Sequence, residues 1–203
     1  MKLKKGQLPI FLVNIFFILV FSVSFITREN YEFLIYVGVL TFFIILILTT
    51  NKKVNYPNGL LWGLSAWALA HMAGGGILIE GQTLYATMLI PLISEPYYIL
   101  KYDQIVHAFG FGITTFVMWT LLKPLLKNPA RNNKITIGIL LVMAATGAGA
   151  LNEIIEFIIT VVEPKSGVGG YINNSLDLIF NLIGALIALT IIGKKEKFIK
   201  PFS

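Results

Sequence analysis

The sequence predicts an all-α polytopic membrane protein, a bundle of six transmembrane helices with an outward-facing polar pocket between helices three and six. Three observations predict it. Of 203 residues, 56% are hydrophobic and 13% charged, where soluble domains carry about a quarter charged, and mean hydropathy is +0.79. Six stretches approach the roughly 20 apolar residues needed to cross hydrocarbon. The basic residues gather in alternate loops.

The predicted spans are Leu8–Ile26, Phe33–Thr50, Leu60–Ile79, Asp103–Leu122, Ile135–Val162 and Leu176–Gly193. The first contains one polar interruption, Asn14, read as a local hydrogen bond. Its KLKK lead and Ser22-Val23-Ser24 also fit a cleaved signal peptide, but the run is long enough to span and five more follow. The second is apolar throughout. The third carries His71 ahead of Gly74, Gly75 and Gly76. After it, Thr83–Ser94 is apolar but short, contains Pro91 and lies between Glu80 and Glu95, which predicts an interfacial or re-entrant piece. The fourth span opens on Asp103 and His107, and the loop Lys123–Lys134, with Pro124 and Pro129, is the expected hinge and the best site for a tag. The fifth holds Asn152, Glu153 and Glu156. The sixth holds Asp177 and Asn181, and the glycosylation-like triplet Asn173-Asn174-Ser175 lies against its start, too close to be a loop acceptor. No repeat, low-complexity tract or long linker divides the chain. One integral membrane domain over residues 1–203 is expected.

Outside the spans, thirteen Lys and Arg fall in the two tails and the second and fourth loops, against Arg28, Lys101 and Lys165 in the others. Cytoplasmic loops carry such an excess, so both termini are expected in the cytoplasm and the protein in the plasma membrane. The net charge of +6 is then topology rather than a nucleic-acid signal, and membrane lipid is the expected partner. Tyr31, Tyr85, Tyr97, Tyr98, Tyr102 and Tyr171 fall near the outer ends of spans, Trp62 and Trp119 near the inner ends, as aromatic belts require. Cysteine is absent, which removes disulfides, thiolate metal sites and thiol nucleophiles together.

Ionisable groups are costly in hydrocarbon and mark function or pairing. Counted from the outer ends of the spans at about 1.5 Å per residue, His71 lies about 12 Å deep, Glu153 about 14, Glu156 about 9, Asn181 about 8, His107 about 6 and Asp177 about 2 Å, with Asp103 at the rim. Asp103 and His107 are four residues apart, Glu153 and Glu156 three, Asp177 and Asn181 four, so each pair shares a helix face. Convergence of spans three to six would gather these faces into one pocket. Gly74–Gly76, Gly110, Gly112, Gly147, Gly149 and Gly184 would let the backbones approach. The GAG before Glu153 has no preceding strand and is no dinucleotide fingerprint; Walker, HExxH and GxSxG patterns are absent.

Ionised, Asp103, Glu153, Glu156 and Asp177 carry four negative charges that a low-dielectric pocket cannot hold unbalanced. Protons, a divalent metal, a cationic substrate or water would relieve them. Two His with several carboxylates suit Zn, Mn, Fe, Mg or Ca. A di-iron site is disfavoured because Glu-x-x-His is missing. A hydrogen-bonded network that fixes helix register explains any one residue, though not eight at one depth. A transport relay is opposed by the apolar inner halves of the spans.

The segments LLWGLSAWALAHMAGGG, KYDQIVHAFGFG, GALNEIIEF and GGYINNSLDLIFNLIGA resemble the uncharacterised YjdF-like inner-membrane protein family, over roughly Leu60 to Leu189 as four helices. More distantly, Asp-x-x-x-His, a Glu in the next helix and Asp-x-x-x-Asn-x-x-Gly are similar to the VanZ-like family, which is associated with glycopeptide antibiotic resistance. That resemblance marks Asp103, His107, Glu153, Asp177, Asn181 and Gly184. Glu156 stands where VanZ-like proteins tend to have Gln, and their Arg before the last Asp is missing, which counts against an antibiotic-related role. His71 belongs to the YjdF-like pattern only.

The leading expectation is metal-assisted hydrolysis or transfer on a lipid or lipid-linked headgroup at the outer leaflet. His71, Asp103, His107 and Asp177 would be ligands of a divalent metal, Glu153 the general base, Asn181 an orienting group and Glu156 either ligand or base. The alternative is a non-enzymatic lipid-binding or proton- or cation-coupled transport protein using the same pocket.

Overall fold

The computed structural model describes residues 3–126, 133–162 and 170–196. Among them are α1 (Gln7–Thr27), α2 (Tyr31–Val54), α3 (Asn58–Gly76), β1 (Leu78–Ile79), β2 (Gln82–Thr83), β3 (Met88–Ile93), β4 (Ile99–Lys101), α4 (Tyr102–Leu122), α5 (Lys134–Val162) and α6 (Tyr171–Lys195). All but α3 of the helices are long and apolar enough to cross a membrane. In α3, Asn58, Ser65, His71 and five glycines dilute the apolar content. The surface pattern inverts that of a soluble protein. Phe16, Phe42, Met143 and Phe157 are exposed, while Gln7, Asn14, Gln104, Asp177 and Asn181 are buried.

The chain gathers into two compact units, and the divisions fall between Val106 and His107 in α4 and between Glu156 and Phe157 in α5. The first unit is built on α1, α2 and α3, which alternate in direction. At one end the buried amides of Gln7 and Asn51 clasp each other, Asn51 Nδ2 donating to Gln7 Oε1 at 2.7 Å, and Lys4 Nζ donates to the Tyr56 carbonyl at 3.2 Å. At the other end Arg28 donates to the Gly76 carbonyl at 2.8 Å. Midway, Asn14 donates to its own helix at Ile10 and across to Ser65 of α3. Its bond is therefore interhelical as well as local.

The second unit holds most of α4 and α5 and all of α6. Trp119, Ile137, Leu141 and Ile192 form its buried apolar core. Beside that core, Lys123 Nζ and Trp119 Nε1 both donate to Glu196 Oε1, at 2.6 and 3.3 Å, fastening the carboxy-terminal ends of α4 and α6. Higher up, these helices cross on bare backbone. A Cβ at Gly184 would overlap the Ala108 carbonyl oxygen, and one at Gly112 would lie 3.3 Å from the Gly184 oxygen.

Three boundaries differ from the sequence expectation. The third helix stops at Gly76, because Ile77 turns extended and Leu78–Ile79 pair with Gln82–Thr83. The sixth begins at Tyr171, so Asn173-Asn174-Ser175 is helical; polar residues extend a helix that a hydropathy scan truncates. The segment Thr83–Ser94 is mainly a strand, β3, paired antiparallel with β4. Of the expected hinge, Lys123–Leu125 forms a 3-10 turn, and residues 127–132, with Pro129, lie outside the described residues, as does Lys165.

Candidate functional site

The second unit brings together polar residues from all three of its helices, and His107 is their hub. It lies five residues into α4 and is 8% exposed. Its Nδ1 meets Asn181 Oδ1 of α6 at 3.0 Å. On α5, Glu153 Oε1 stands 3.7 Å from Nδ1 and Glu156 Oε1 3.9 Å from Nε2. Asn152 Nδ2 donates to Glu156 Oε1 at 2.8 Å. Asp177, one turn before Asn181, accepts from Asn173 Nδ2 and offers a carboxylate oxygen within 4.8 Å of a His107 ring nitrogen. Asp177 and Asn181 are both fully buried.

The revised helix ends place these groups at a common level. Asp177 is six residues, about 9 Å, inside α6, Glu156 six residues, about 9 Å, before Val162, the last described residue of α5, and His107 about 7.5 Å inside α4. Asn181 and Glu153 are about one turn deeper. Close approach is allowed by Gly149, where a Cβ would lie 2.6 Å from Asn181 Nδ2.

The imidazole meets oxygen atoms at both nitrogens. With Asn181 Oδ1 accepting, Nδ1 is the protonated nitrogen and Nε2 is the one turned to the Glu156 carboxylate, 3.9 Å away. A cation would join the ring to that carboxylate. A proton would make the ring imidazolium; a metal would use Nε2 while Asn181 holds the other nitrogen, the usual arrangement behind a metal-bound histidine. Donors on a tetrahedral ion at about 2.1 Å stand about 3.4 Å apart, half an ångström closer than Nε2 and Glu156 Oε1. His107, Glu153 and Glu156 each offer a ligand atom within 4.8 Å of the others. A divalent cation would offset two of the carboxylate charges gathered around His107, which a low-dielectric interior holds only when balanced. Asn181 Nδ2 is buried with no hydrogen-bond partner among the described residues.

Two of the expected ligands belong to the first unit. Asp103 lies in the first turn of α4, one turn before His107 on the same face. His71 joins an aromatic cluster. Its Nδ1 bonds the Tyr85 hydroxyl, Trp67 stacks on its ring at 5.6 Å, and Tyr36 presents an edge at 4.8 Å. Gly74 and Gly75 make room for that cluster, since a Cβ there would strike the rings of Tyr85 and Phe33. Sequence reasoning missed the supporting amide of Asn173, set aside as a glycosylation triplet; its spacing of four from Asp177 was the available signal.

No curated protein and no solved structure matches the chain. A family model does, over residues 8–196, and so reaches the first two helices as well as the four that carried the YjdF-like resemblance. The chain belongs to the family described as "Predicted membrane protein (DUF2238)", of which the YjdF-like proteins are a kind.

Proposed function

We propose that the chain crosses the plasma membrane six times with both termini in the cytoplasm, and that the His107 cluster opens toward the outer face. There it would bind a divalent metal and carry out hydrolysis or group transfer on a lipid or lipid-linked headgroup. The sixth span is α3, whose two ends match those of α1: Asn58 Nδ2 donates to the Lys5 carbonyl and Arg28 to that of Gly76. The observation that carries the chemistry is the buried His107 ring, whose Nδ1 meets Asn181 Oδ1 at 3.0 Å while Nε2 lies 3.9 Å from Glu156 Oε1. His107, Glu156 and Asp177, all of the second unit, are the proposed ligands; the sequence pattern alone adds Asp103. Glu153 is the proposed general base, placed to accept a proton from water that a bound divalent cation would acidify. His71, bonded to Tyr85, is assigned to the aromatic cluster instead.

Elemental analysis of protein purified without chelators or a histidine tag tests the centre. About one metal per chain in the parent is expected from a single mononuclear site, and none in a folded His107→Ala, Glu156→Gln variant. Glu153→Gln should keep the metal and lose turnover in a screen of lipid phosphates and esters. A parent without metal overturns the proposal in favour of lipid binding or proton coupling through the same residues.

A further inference from the structure

Between α3 and α4 the chain is neither helical nor buried. Ile79 and Gln82 pair across a two-residue turn in which Glu80 and Gly81 both have positive φ, 52° and 83°, the conformation of the tightest hairpins. After a 3-10 turn, β3 pairs with β4, Met88 opposite Lys101 and Ile93 opposite Ile99. Five consecutive residues of β3, Leu89 to Ile93, are exposed, and Leu92 reaches 63%. The register shifts between the Met88 and Ile93 pairs, and the apolar run of β3 is bare along its length.

Depth follows from the backbone. A two-stranded ribbon keeps two open edges of unpaired N–H and C=O groups, which hydrocarbon cannot satisfy. Pro91 removes one donor but not the rest. Headgroups and their water can satisfy these edges. The position is fixed by continuity. β4 runs into α4 without a linker, Tyr102 N donates to the Thr87 carbonyl at 3.0 Å, and α4 is apolar enough to cross a membrane. The base of the ribbon therefore sits at the end of a span, among the interfacial residues Tyr97, Tyr98 and Tyr102, with Lys101 Nζ 5.3 Å from the Tyr98 ring centre. We infer that the β3–β4 ribbon is a membrane-interface element, lying in the headgroup layer with Leu89, Ile90, Leu92 and Ile93 dipped to the acyl boundary.

The absence of native cysteine makes the test direct. Leu89→Cys, Leu92→Cys and, as an aqueous reference, the exposed Lys53→Cys are labelled with an environment-sensitive fluorophore in the full-length protein in phosphatidylcholine–phosphatidylglycerol nanodiscs. Both ribbon labels should be blue-shifted relative to the reference. Lipids brominated near the headgroup should quench them more than lipids brominated near the chain ends, and aqueous iodide should quench them less than the reference. Emission and iodide quenching equal to the reference overturn the inference. So does shielding at only one of the two positions, or shielding without bromolipid quenching, the mark of a second copy of the chain over the ribbon.

Discussion

His107 has a carboxylate near each ring nitrogen, Glu153 at Nδ1 and Glu156 at Nε2, and the Asn181 amide at Nδ1 as well. Spacing made the pairs Asp103/His107, Glu153/Glu156 and Asp177/Asn181 legible, because residues three or four apart must share a face. It could not say which way each face turns. His71 shares the expected depth of the site, and its ring lies among Phe33, Tyr36, Trp67 and Tyr85. Glycine shows the same limit. Gly184 and Gly38 look alike in sequence, yet a Cβ at Gly184 would meet backbone and one at Gly38 nothing within 4 Å. Gly184→Ala should cost about 1–3 kcal/mol, as overpacking does, and Gly38→Ala nothing or a slight gain. Thermal unfolding in detergent checks the pair, and equal midpoints would show that the crossing is not tight.

Among the elements, helices of about 20 apolar residues announce themselves, since only a helix satisfies its own backbone in hydrocarbon. The ribbon did not, because a short apolar run with a proline fits a strand, a bent helix or a loop equally well. The junction of Lys123 and Trp119 with Glu196 was equally invisible, joining residues 73 and 77 apart in sequence. Burial alone would raise the Glu196 carboxyl above its ordinary 4.5; hydrogen bonds from Lys123 and Trp119 and the charges of Lys123 and Lys195 outweigh it and hold the group lower. Depression in the folded state means that this stabilisation is fully present above the ordinary value and is lost as pH falls through the folded one. Lys123→Ala should therefore lower the unfolding temperature at neutral pH and flatten its decline in acid. The parallel decline of variant and parent would remove the junction from the stability balance.

Over the whole molecule, exposed apolar and buried polar side chains match a chain whose solvent is lipid. The charge count anticipated one feature that the first unit bears out. Lys4 and Lys5 lie at the same end as the end of α2, where Lys52 and Lys53 sit, and Arg28 lies at the other. A fluorescent fusion at either terminus should report from the cytoplasm; a signal from the exterior would reverse the proposed orientation. Shared depth predicted convergence of spans three to six; the second unit shows it for α4, α5 and α6, and only tertiary packing shows Asn181 settled against Gly149.

Backbone seated directly on backbone, as Gly184 is on Ala108, contains no side chain that can yield. A side chain added at that seat would have to push α4 and α6 apart. His107 immediately precedes Ala108, and Asn181 lies three residues before Gly184, so the same close crossing sets the reach of their hydrogen bond. α5 meets α6 at Gly149 through a side-chain amide, which can rotate. In the proposed centre the glutamates of α5 would face a pair whose spacing is set by that crossing, so a bulkier residue at Gly184 would be felt at His107 as well as between the helices.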